Sequence, residues 1–212
     1  MLQNRVDPEG NIITTPARGA WMGNRGQLHD HYQHLQRNFK LKAWLICLLQ
    51  FKGRKRPVMA PNRYTELFFL DEATAFAAGH RPCFECRREA YNHFKSCWLA
   101  GNPAYRFDDS TSIRSIDDIL HSQRIDNAEK KITYQEHIKN LPDGTFIRLL
   151  GKPHLIANNL LHQWSPSGYG EAIALPKTGK VTVLTPKSSV NAFRAGYQPQ
   201  MAASISERVE SN

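Results

Sequence analysis

Long apolar runs are missing from this chain. The longest, residues 43–51 (AWLICLLQF), covers nine positions and is interrupted by Gln50. That is about half of the ~18 residues a membrane-spanning helix needs. The N-terminal MLQNRVDPEG has no apolar stretch between a basic start and a cleavage site, so no secretory leader is read and a cytoplasmic location is expected. Cysteine is scarce, with four in 212 residues, and in a reducing compartment such residues serve as thiols or metal ligands rather than as disulfides. Internal repeats and low-complexity tracts are also lacking. With 41% hydrophobic and 22% charged residues, wholesale disorder is excluded, and the length suffices for one large domain or two small ones.

Acid is missing from one stretch in particular. Between His31 and Thr65 stand eight basic residues (Arg37, Lys40, Lys42, Lys52, Arg54, Lys55, Arg56 and Arg63) and no Asp or Glu. The whole chain carries 28 Lys and Arg against 19 Asp and Glu, a net charge of +9. A solvated basic surface explains part of this. A block so one-sided points to a polyanionic partner, nucleic acid before any other and DNA first.

The patterning predicts an α+β protein in which a zinc-stabilised domain precedes a mostly antiparallel β module, a meander or small barrel. Residues 1–26, rich in Gly, Pro, Asn and Arg, read as an irregular arm. A short helix carrying His29, His31 and His34 is expected over residues 27–40, and strands over 43–51 and 65–70. Asp71 is placed to cap a helix over 72–78 that stops at Gly79. A second helix is expected from the second cysteine of the Cys83-Phe84-Glu85-Cys86 run to about residue 100, with Cys86, Ala90, Phe94, Cys97 and Trp98 on its apolar face. A third covers residues 115–122. Residues 27–125 thus form the first domain. In 126–200, turn signals such as Pro142-Asp143-Gly144 and Lys177-Thr178-Gly179 separate β-type runs, and Thr185 caps a last helix. Residues 201–212 read as a frayed tail.

Cys83 and Cys86 carry the chemistry. Two-residue spacing lets two thiolates converge on one tetrahedral ion, and a helix N-terminus favours the thiolate form. A redox dithiol or two uncommitted buried thiols remain alternatives, although no thioredoxin-like βαβ pattern surrounds the pair. The segment LFFLDEATAFAAGHRPCFECRRE (67–89) resembles the second half of the zinc-binding N-terminal domain of Ada, the adaptive-response family that repairs methyl phosphotriesters in DNA. Gly79, Arg81, Pro82, Cys83, Cys86 and Arg87 match its pattern, while His80 stands where an aromatic is usual. The resemblance implies a zinc scaffold with Cys83 and Cys86 as ligands. It does not reach the β-rich half. It also fails where that family supplies a C-x-x-x-C pair, one of whose cysteines accepts the methyl group: the corresponding residues 52–56 contain no cysteine. No residue here carries over as methyl acceptor.

Cys47, in the preceding expected strand, and His29, preceded by the flexible Gly23 to Gly26 stretch, are the candidates to complete the zinc site. Cys97 lies eleven residues past Cys86 on the same helix, about 16 Å away at 1.5 Å per residue, and reads as a core thiol. A zinc deaminase is excluded because no His or Cys stands two residues before a nearby upstream acid. Asp117 and Asp118 sit on different faces of a helix and do not form an acid–base pair. His162, Trp164, Tyr169 and Tyr197 read as core or rim rather than a stacking platform. The expected function is therefore a zinc-containing nucleic-acid-binding protein, with repair or regulation as its setting, using Arg54, Lys55, Arg56, Arg81, Arg87 and Arg88 as phosphate contacts. An enzyme acting on nucleic acid through an open zinc position or a reactive cysteine is the alternative. A structural zinc module for protein interaction is a third.

Overall fold

The computed structural model of the chain describes residues 1–54 and 57–206. The protein is α+β, with helices packed between two six-stranded sheets. The first sheet combines β1 (Gln3–Val6), β2 (Ile12–Thr14), β3 (Trp21–Asn24), β4 (Leu45–Cys47), β5 (Leu67–Phe69) and β6 (Arg81–Pro82), in the order β2-β1-β5-β3-β4-β6. Half of these strands come from residues 1–26, which corrects the expectation of an irregular arm. Gly, Pro and Asn mark the turns between the strands, while alternating Asn4/Val6 burial against exposed Gln3 supplies the strand period. Gly23 in β3 is forced by close approach, since a Cβ there would lie 2.3 Å from the carbonyl oxygen of Leu45.

The expected helix over 27–40 is absent. Asp30 ends any helical path there, because its carboxylate takes the backbone N–H of Tyr32 and of His34 in a local turn, the competition that disfavours Asp inside helices. The expected strand over 43–51 is reduced to the three residues of β4.

Helix α1 (Glu72–Ala77) begins where expected, with the Asp71 side chain accepting the N–H of Thr74. Helix α2 (Arg88–Gly101) starts two residues beyond Cys86, leaving the whole cysteine pair in the turn ahead of it. Helix α3 (Ile113–Arg124) is capped by Ser112. The second sheet runs β11-β10-β9-β8-β12-β7, from β7 (Tyr134–His137), β8 (Phe146–Leu149), β9 (Lys152–Ala157), β10 (Leu160–Ser165), β11 (Gly168–Ala174) and β12 (Lys180–Val183). All of its pairings are antiparallel, and β8 to β11 form a meander. Helix α4 (Lys187–Arg194) follows. Its N-cap position is Pro186, and the Thr185 hydroxyl accepts the N–H of Phe146 instead of capping.

The two halves share a core. Phe193 and Tyr197, just beyond the second sheet, pack with Phe76, Phe94 and Trp98 of α1 and α2. Gly101 permits α2 to approach α4, because a Cβ there would stand 2.3 Å from the Asn191 carbonyl oxygen. Tyr169 of β11 donates its hydroxyl to the buried Asp71 carboxylate at 2.7 Å. Residues 201–206 are not frayed: α5 (Ala203–Ser206) seats Ile205 in the core of the second sheet. No helix is long and apolar enough to cross a membrane among the described residues.

Candidate metal centre

Strand pairing assembles the site. β4 and β6 run parallel, with Leu45 opposite Arg81 and Ile46 opposite Pro82. The next residues on each strand are Cys47 and Cys83, and the Cys83 N–H donates to the Ile46 carbonyl at 2.9 Å. Pro82 suits this short edge strand, where a missing N–H leaves no ladder bond broken. Past Cys83 the chain turns, the Arg87 N–H reaching back to the Cys83 carbonyl at 3.0 Å, and brings Cys86 round to the same point. The sulfurs of Cys47, Cys83 and Cys86 lie within 4.8 Å of one another. Thiolates on a tetrahedral ion with metal–sulfur bonds of about 2.3 Å stand about 3.8 Å apart, so the three sulfurs match the spacing of a metal-binding set. No fourth His, Cys, Asp or Glu joins them among the described residues.

The backbone is arranged for anionic sulfur. A hydrogen bond from Cys47 draws the Cys83 thiol down to about 5 against the opposing effect of burial, and the N–H groups of Cys86 and Glu85 add to it. Cys86 is lowered by Cys47 and by the Leu48 N–H. Cys47 is pushed up, first by its hydrogen bonds to Cys83 and Cys86 and then by burial. Cys47 is thus the hydrogen-bond donor of the cluster, and ligation of a cation by all three sulfurs would release its proton.

All three cysteines line one cavity of about 590 Å³. Met22, Leu45, Leu48, Phe51 and Phe68 give it an apolar wall; Arg54, Arg63, Glu66 and Glu85 contribute polar groups. Such a cavity has the size and mixed lining typical of a ligand site.

His29 is not part of the cluster. It is buried against the 60–65 segment, with Nδ1 2.6 Å from Thr65 Oγ1 and Nε2 3.2 Å from the Ala60 carbonyl. Both ring nitrogens are spent on fixing that loop. Two of the expected phosphate contacts are also internal. Arg81 grips Asp117 of α3 with two bonds of 2.7 Å, both side chains 5% exposed. Arg87 pairs with buried Glu72 at 2.6 Å and lies over Trp21. These cations are neutralised within the fold and do not face a partner. Arg54 and Arg88 are at the surface: Arg54 meets exposed Glu85 at 2.5 Å, and Arg88 stacks on exposed Phe84 at 3.6 Å. Lys55 and Arg56 lie outside the described residues. Cys97 is a buried thiol of α2, beside His93. Asp118 faces solvent with Lys42 while Asp117 faces inward.

The cavity itself escaped the sequence reading. Met22 and Phe68 carry no signal for it, since strand residues that line a void and strand residues that fill a core look alike. No family model matches this chain, and no curated protein or solved structure matches it.

Proposed function

We propose that this chain is a zinc protein that binds nucleic acid, with Cys47, Cys83 and Cys86 holding the ion and its fourth position facing the neighbouring cavity. The observation that carries the reading is the convergence of three cysteines, rather than four, on the wall of a 590 Å³ cavity. Thiolate donors in tetrahedral array select zinc among the common cellular cations, and three protein ligands with one open position are the pattern of reactive rather than closed zinc sites. A zinc ion supplies Lewis-acid polarisation to a donor atom entering that position.

Charge supports the partner. The acid-free segment reaches the cavity through Arg54 and Arg63. The Arg54–Glu85 pair is exposed on both sides, and such pairs contribute little, so a phosphate readily replaces Glu85. Phe84, 49% exposed and adjacent to Cys83, presents with Arg88 a flat stacked surface of the kind that unpaired bases use. The resemblance of residues 67–89 to the Ada scaffold agrees with the Cys83 and Cys86 assignment.

Metal analysis of the purified chain is expected to find one zinc per chain, lost in Cys47→Ser and Cys83→Ser and kept in Cys97→Ser. In the cobalt-substituted protein, added imidazole is expected to alter the visible absorption by entering the open position. An unchanged spectrum at saturating imidazole refutes the open site. Labelled single-stranded DNA should bind with strong salt dependence, and the Arg54→Ala, Lys55→Ala, Arg56→Ala triple variant should flatten the log–log salt slope by about 2. Parent-like binding by that variant removes the basic segment from the interface.

A further inference from the structure

Opposite the cysteine cavity, the first sheet bears a second cavity whose chemistry is different. Met22, Asn24, Leu45 and Cys47 line the cysteine cavity, while Arg25 and Trp44, which alternate with them along the chain, line a separate void of about 280 Å³ together with Arg124 and Lys131. The guanidinium groups of Arg25 and Arg124 each lie 3.8 Å from the centre of the Trp44 ring. Both arginines are 1% exposed.

Among the described residues, none of these three cations forms an ion pair with an acid. Arg25 donates to the carbonyls of Gly10 and Asn38 and to His80 Nε2. Arg124 donates to the carbonyls of Gly79 and Lys42 and meets His121 Nδ1, while its Nε is buried without a hydrogen-bond partner. Lys131 donates to the carbonyl of Ala77. Two acids, Glu9 and Glu129, share the lining of the void, and each is engaged elsewhere: Glu9 is held by Arg148 in a two-pronged pair and Glu129 accepts from the Asn38 amide, while Asp7 is turned onto Asn11. Burial lowers Arg25 to about 9 and Lys131 to about 7, against the smaller opposing pull of Asp7 on Arg25 and of Glu9 on Lys131.

Packing of a purely structural kind pairs buried cations with carboxylates, as this same fold does for Arg81 and Arg87. Two buried guanidiniums and an ammonium around an open void are instead the makings of an anion receptor, in which fork-shaped donors recognise a planar or tetrahedral oxyanion. We propose that the cavity walled by Arg25, Trp44, Arg124 and Lys131 binds a phosphate group, either the free ion or a small phosphate ester. This site is independent of the cysteine centre, on the other side of the sheet.

The test uses the full chain and inorganic phosphate. At constant ionic strength, phosphate is expected to raise the melting temperature saturably and to show broadened phosphorus resonances, with chloride giving neither effect. In Lys131→Met, phosphate affinity is expected to fall about tenfold or more, the loss of one charge-assisted contact, while the melting temperature without phosphate is retained or raised. Where a variant does not fold, phosphorus line broadening on the parent decides alone. Displacement of phosphate by a mononucleotide assigns the site to a phosphate ester, and its failure assigns it to the free ion. No phosphate-specific effect on the parent, or an undiminished response in a folded Lys131→Met, overturns the proposal.

Discussion

Removing Asp117 should damage the cysteine centre from a distance. The carboxylate sits on α3, receives two 2.7 Å bonds from Arg81, and both side chains are 5% exposed. Arg81 also donates to the Pro82 carbonyl at 3.1 Å, and Cys83 follows directly. In Asp117→Ala the guanidinium stays buried with no counter-charge. Breaking one side of such a pair costs about 3–5 kcal/mol, much more than the pair itself contributes. In a chain of this size 1 kcal/mol shifts the midpoint by roughly 2–4 °C, so a drop on the order of 10 °C is expected. Urea unfolding followed by circular dichroism measures the free energy. The double variant Arg81→Met, Asp117→Leu, which removes both charges and keeps apolar volume, should recover most of the loss. Because β6 pairs with β4 through Arg81 and Pro82, the single variant should also weaken metal retention. A cost below about 1 kcal/mol for Asp117→Ala, or a double variant worse than the single one, refutes the reasoning.

Metal removal by a chelator should loosen the turn at residues 83–87 without unfolding the chain, since the shared core of Phe76, Phe94, Trp98 and Phe193 does not involve the cysteine cluster; amide hydrogen exchange localises the change, and global unfolding contradicts it. His80 is fully buried, accepts from Arg25, and burial followed by the Arg25 and Arg124 charges holds its pKa well below normal. Its contribution is thus fully present above the unfolded pKa of about 6.5 and is lost as pH falls, by up to about 1.4 kcal/mol per unit; His80→Gln should show a shallower decline in stability from pH 6 to about 5, and a parallel decline opposes this. Gly101→Ala should cost about 1–3 kcal/mol by overpacking, because the added Cβ meets backbone of α4 rather than a movable side chain; thermal unfolding within error of the parent contradicts it.

Local chemistry in the sequence was enough for several elements. Asp71 caps α1 because a carboxylate three residues ahead of Thr74 reaches its N–H whatever else surrounds it. The Cys83–Cys86 turn follows from spacing alone, and the β8–β11 meander from turn residues placed between β-type runs. These features depend on neighbours within a few positions. The strands of residues 1–26 were hidden for the opposite reason: β1 pairs with β5 some sixty residues on, and short strands broken by Gly and Pro carry little signal of their own.

Charge was legible as an amount but not as a place. The excess of Lys and Arg and the acid-free segment are properties of composition. That Arg81 and Arg87 are neutralised inside the fold, while Arg25 and Arg124 are buried with no ion pair among the described residues, depends on which distant residues the packing delivers: Asp117 from α3 and Glu72 from α1 to the first two, and the Trp44 ring to the others. The cysteine centre divides in the same way. The sequence by itself determined the Cys83 and Cys86 pair, two thiols held by one turn. Only the tertiary structure decided that Cys47 joins them and that His29 does not, because the parallel pairing of β4 with β6 is a non-local choice set by the whole sheet.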